Sequence, residues 1–134
     1  MNLTTRKKKI GGPSDVAEVF RAILAAECEV DRDKEHFWVM GVNTKNQIQY
    51  LELVTLGVLD ASLIHPREVF RYAIMRGVSS IIIVHNHPSG DPSPSSEDRT
   101  VTKRLKEAGK LLGIDVLDHV IVGDTSHYSF SNCE

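Results

Sequence analysis

The chain is short of the features that would place it outside an ordinary globular interior. It has two cysteines, Cys28 and Cys133, far apart in sequence. They form no Cys-x-x-Cys pair, which makes them poor candidates for a zinc knuckle, and two thiols do not make a disulfide framework. Cys28 reads as helix packing and Cys133 as a tail thiol. No apolar run approaches the roughly 20 residues of a membrane helix, and no signal-peptide pattern opens the chain. The expectation is a cytoplasmic protein with no membrane partner. Charge of one sign is also missing: the formal net charge is −2, so no bulk attraction to nucleic acid follows. There is no internal repeat and no low-complexity segment. What remains is 134 residues, 41% of them hydrophobic, a length that suits one domain.

One stretch carries chemistry. Ile81-Ile82-Ile83-Val84 reads as a buried strand. His85 and His87 follow two residues apart, so in extended backbone both rings point to one side. A turn-rich segment from Pro88 to Pro94 then reverses the chain. Ser95 opens a helix and Asp98 sits in its first turn. Ser95-x-x-Asp98 fits a capping box with an acid offsetting the helix dipole. The same Asp98 can return to the two imidazoles. Two histidines and one aspartate make a three-ligand set for a divalent cation, with a fourth position for water. Asn86, between the histidines, faces away and reads as structural.

These residues resemble a known family. His85-x-His87-Pro88 followed by Ser95-x-x-Asp98 is similar to the JAMM motif of the JAB/MPN metalloprotease superfamily. His87-Pro88-Ser89-Gly90-Asp91, Pro66-Arg67-Glu68-Val69 and Leu117-Asp118-His119-Val120-Ile121-Val122-Gly123 resemble the bacterial RadC-like proteins. RadC proteins usually carry a helix-hairpin-helix region ahead of this domain. The chain is too short to hold one, so the expectation is a JAB domain standing alone. The resemblance implies an α/β fold of α+β type, a curved mixed sheet flanked by helices in a cytidine-deaminase-like architecture. It implies cleavage of an amide or isopeptide bond in a peptide or protein substrate. One Zn²⁺ per chain would be held by His85, His87 and Asp98, although Mn or Fe suits the same donors. Glu35, just ahead of a core strand, matches the region where JAMM proteins place their general base. Glu52, in mid-strand, is its rival. Ser95 would offer its hydroxyl to the developing oxyanion.

A second reading comes from a different class. RadC-like proteins are named as DNA repair factors, and Arg99, Lys103, Arg104, Lys106 and Lys110 line one predicted helix. A nucleic-acid-binding module or a metal-dependent nuclease would use such a surface. Only one metal constellation is visible, whereas many nucleases use two metals. Nothing in the sequence sets an oligomeric state.

The rest of the pattern gives the frame. Residues 1–13, with Arg6-Lys7-Lys8-Lys9, read as a flexible basic tail, and 14–134 as the single domain. Ser14 is the expected cap of a helix running to Cys28, with Val16, Val19, Phe20, Ile23 and Leu24 on one face. A charged connector, 29–34, leads to a strand over 35–42 buried on both faces. Thr44-Lys45-Asn46 turns into a second strand, Ile48 to Thr55, forming a hairpin. A helix opens at His65-Pro66 and closes at Gly77, with His65 a surface or capping residue. The third helix runs from Ser95 to Leu112 and stops at Gly113. Strands follow over Val116–Val122 and Tyr128–Phe130. Asp118 and His119 are adjacent in a strand, so at most one points at the metal. Asp118 either orients a ligand histidine or closes a loop.

Overall fold

Strand β1 (His36–Val42) is buried at every residue, which a strand cannot be unless both faces of its sheet are covered. They are. Phe37 and Val39 belong to one apolar cluster and Trp38, Met40 and Val42 to another. The computed structural model describes residues 8–133. β1 pairs antiparallel with β2 (Ile48–Leu56) on one side and β3 (Ser80–Asn86) on the other. β3 runs parallel to β4 (Asp115–Val122), and β5 (His127–Ser129) closes the sheet antiparallel to β4. The order is β2-β1-β3-β4-β5, a five-stranded mixed sheet. Parallel neighbours need a crossover, and helix α5 (Ser96–Leu112) supplies it between β3 and β4. α5 ends at Gly113, whose φ of 74° is left-handed and suited to glycine.

Helix α1 (Pro13–Ala25) covers one face, burying Val16, Ala17 and Phe20 against Trp38, Met40, Ile82, Val84 and Val120. The other face is covered by α5 and by the short helices α3 (Pro66–Val69) and α4 (Arg71–Arg76), which pack Val69, Phe70, Ala73, Val101 and Leu105 against Phe37, Ile81 and Ile83. No helix among the described residues is long and apolar enough to cross a membrane.

Several boundaries differ from the sequence reading. The helix expected from His65 to Gly77 breaks at the fully buried Phe70. α1 is capped at Gly12 without a side-chain bond, and Pro13, not Ser14, leads its first turn. The charged connector contains one helical turn, α2 (Glu29–Arg32), ahead of which Cys28 is exposed rather than packed. A last helical turn, α6 (Phe130–Cys133), follows β5. The packed chain also begins before Ser14. Lys9 bridges Gln47, the Ile10 N–H donates to the Asn46 carbonyl at 2.8 Å, and Ile10 is only 7% exposed. Arg6 and Lys7 of the expected tail lie outside the described residues.

Candidate metal centre

Side-chain parity along β3 decides which residues meet. Ile81 and Ile83 face α5, and His85 continues that row. The His87 N–H still bonds the Val122 carbonyl at 3.0 Å, so the ladder runs one residue past the strand and His87 keeps the same side. Asn86 turns to the opposite face. There its Oδ1 accepts from the His36 N–H at 2.5 Å and its Nδ2 donates to the Lys34 carbonyl at 3.1 Å. Its part is structural, as the sequence suggested.

The segment after His87 is a fastened arch. The Gly90 N–H donates to the His87 carbonyl at 2.9 Å, with Gly90 at φ 91°. Asp91 Oδ1 accepts from the Ser93 N–H at 2.9 Å and its hydroxyl at 2.7 Å. The Asp124 N–H donates to the Gly90 carbonyl at 3.2 Å, and a Cβ on Gly123 would collide with that same carbonyl and press on Pro92. The arch delivers Ser95 as the cap of α5. Ser95 Oγ accepts from the Asp98 N–H at 3.1 Å, and Asp98 Oδ2 accepts from the Ser95 N–H at 2.8 Å and the Ser95 hydroxyl at 2.9 Å. Both readings of Ser95-x-x-Asp98 therefore meet in one geometry. The capping box is present, and it aims the carboxylate inward.

Asp98 is 0% exposed and sits between the histidines. Its Oδ1 lies 2.9 Å from His85 Nδ1 and its Oδ2 3.0 Å from His87 Nε2. Burial pushes this carboxyl up, but hydrogen bonds to His85, His87 and Ser95 outweigh it and hold Asp98 well below the usual range. The bond to Asp98 raises His87, against burial, with help from the Asp91 carbonyl that receives its Nδ1 proton at 2.9 Å.

β4 adds a residue that the sequence left undecided. His119 stands beside Ile83 in the ladder and so faces α5, while Asp118 turns away. Asp118 accepts from the Ser129 hydroxyl at 2.6 Å and the Ser131 N–H at 3.0 Å, tying the chain end to β4. Of its two expected roles it fills the loop-closing one. His119 is fully buried, stacked on Phe130 at 4.8 Å, and burial pushes its imidazole down to about 3, leaving it neutral. Its Nδ1 lies 2.5 Å from Thr102 Oγ1. One ligand atom from each of His85, Asp98 and His119 lies within 4.8 Å of the others, the one such cluster among the described residues. His85 Nε2 and His119 Nε2 are buried without a protein partner. Buried nitrogens are almost always satisfied, so two bare ones on histidines clustered with an ionised carboxylate fit a cation. His87 meets Asp98 but is outside that tightest group.

Glu35 reaches the site by the same parity. It precedes β1 on the side of Phe37, whose partner across β3 is His85. Its Oε2 accepts from the Leu59 N–H at 2.6 Å and lies 3.9 Å from His85 Nε2. Glu52, the rival, pairs with Arg71 at 3.4 Å on edge strand β2.

The profile of the RadC-like JAB domain family matches residues 10–134. A UPF0758 protein of Chlorobium phaeovibrioides is 53% identical over 123 residues, covering 92% of this chain and 53% of that protein. A UPF0758 protein of Methanosarcina mazei is 49% identical over 126 residues, covering 94% and 53%. One from Caldanaerobacter subterraneus is 64% identical over 91 residues, covering 68% and 39%. The chain spans about half the length of the curated relatives it matches.

Proposed function

The chain belongs to the RadC-like JAB domain family, and from that premise we propose that it is a metal-dependent hydrolase acting on an amide or isopeptide bond. The observation that carries the reading is the buried cluster of His85, Asp98 and His119, in which each histidine has an Nε2 without a protein partner. His85, His87 and Asp98 would hold a Zn²⁺, two nitrogens and one oxygen being a donor set suited to it. Zinc held there supplies Lewis acidity, activating water near neutral pH and polarising a carbonyl oxygen.

The chain's own groups do the rest. Glu35, beside His85 with its side chain 26% exposed, accepts the proton from water on its carboxylate and returns it to the leaving amine. The Leu59 N–H fixes one oxygen of that carboxylate. The Asp91 carbonyl fixes the His87 ring, so that Nε2 is the nitrogen turned toward Asp98. The Ser95 hydroxyl spends its proton on Asp98 in this structure. That makes Ser95 a positioning residue here, and an oxyanion donor only if it leaves the cap.

The nucleic-acid reading has the exposed Lys103, Lys106 and Lys110 on α5 in its favour. Arg104 from the same row is spent on the Ala61 carbonyl at 2.6 Å. Salt-dependent DNA binding tests it, and no binding at low ionic strength removes it.

For the hydrolase, elemental analysis of protein purified without added metal should return about one zinc per chain. Glu35→Gln should keep that zinc and lose turnover of an isopeptide-linked test substrate. Protein that holds no zinc, and takes up none when it is offered, overturns the proposal.

A further inference from the structure

Thr102 is 5% exposed and lies one turn after Asp98 on α5. Its Oγ1 is 2.7 Å from the Asp98 backbone carbonyl and 2.5 Å from His119 Nδ1. A threonine hydroxyl has one proton to give and lone pairs to receive with. A backbone carbonyl can only accept. If the hydroxyl proton goes to Asp98, Oγ1 must accept from His119 and Nδ1 carries a hydrogen. The opposite assignment sends the hydroxyl proton to Nδ1 and leaves an N–H on Nε2, fully buried with no acceptor. An orphaned buried donor is rarer and costlier than an idle lone pair. The first assignment satisfies every proton and leaves Nε2 bare.

We propose that Thr102 is a positioning residue that locks His119 as its Nδ1–H tautomer, so that Nε2 presents a lone pair to a cation shared with His85 and Asp98. The inference rests on the metal reading of the site and departs from it in one donor: His119 joins His85 and Asp98 on the buried side, His87 keeps its bond to Asp98, and a tetrahedral ion retains a fourth position for water. One helix then serves two ligands from adjacent turns, Asp98 through its own carboxylate and His119 through Thr102.

The side-chain ¹⁵N spectrum of metal-free protein tests the tautomer directly, and zinc affinity by competition with a chromophoric chelator tests its consequence. The wild type should show His119 protonated at Nδ1. Thr102→Val, which keeps the shape and removes the hydroxyl, should lose that preference and bind zinc roughly 10–100-fold more weakly. Thr102→Ser should restore both, and His119→Gln should weaken zinc at least as much as the valine variant. Thermal melts of the metal-free variants separate this from a general loss of fold. A wild-type spectrum with the proton on Nε2, or a folded valine variant that binds zinc as tightly as the wild type, overturns the proposal. If zinc binds and depends on His85 and Asp98 but not on Thr102 or His119, only this inference fails. If no zinc binds to any form, the hydrolase reading fails with it.

Discussion

His36 and His119 occupy opposite faces of one sheet and look alike by the usual measures. His36 is 1% exposed and stacks on Trp38 at 4.9 Å; His119 is 0% exposed and stacks on Phe130 at 4.8 Å. They differ in what their nitrogens do. His36 Nδ1 meets the Lys34 carbonyl at 2.8 Å and its Nε2 meets Glu27 at 2.6 Å, so both are used within the fold. His119 has one nitrogen on Thr102 and one on nothing. Burial and stacking therefore do not separate a structural histidine from a ligand. What sets His119 apart from His36 is its unspent nitrogen.

The largest test of that contrast removes the charge at the centre of the His119 face. Asp98→Asn should abolish zinc uptake and, by stripping one partner from a buried charged group, destabilise the metal-free protein by about 3–5 kcal/mol in urea titrations. Next comes Glu35→Gln, with turnover down about 10²–10⁴-fold and zinc content unchanged. A third test is stability against pH in chelator-treated protein. Unfolded, His119 takes up its proton near about 6.5; folded, only near about 3. Between those values the unfolded chain binds more protons, so stability is lost as pH falls through that window. His87, whose folded value is raised, works in the other sense: its contribution is full below about 6.5 and fades as pH rises through the folded value. Metal-free stability should peak near neutrality, and His119→Gln should flatten the acid limb. The smallest effect belongs to the other face. Glu27→Gln should cost about 1 kcal/mol by weakening one bond to His36, with zinc affinity untouched. A change in zinc affinity there would erase the contrast.

Much of this was legible in the sequence. The apolar run before His85 and the spacing of His85 and His87 fix a strand and a common side, because parity in a strand is local. Asp98 three residues after Ser95 fixes a helix turn, also a local rule. Gly77 and Gly113 mark helix ends for the same reason. Glu35 follows from its place ahead of a strand, given the JAMM resemblance. What could not be read depends on contacts between distant segments. Adjacent Asp118 and His119 face opposite ways, but which one faces α5 is decided by the pairing of His119 with Ile83. Thr102 looks like any helix-interior threonine until His119 is brought against it. Ile10 sits among charged neighbours in sequence and is buried only because the hairpin end at Asn46 and Gln47 pairs with its strand-like backbone.

The arch from His87 to Ser95 carries one more consequence. Its crown is pinned where the Gly90 carbonyl meets Asp124 and leaves no room for a side chain on Gly123. Little chain therefore remains to be ordered when an ion arrives. Calorimetry of zinc uptake should show a small heat-capacity change, unlike the large negative value that accompanies folding coupled to binding. Alanine at 123 would loosen the arch, and the same titration would then begin to register ordering.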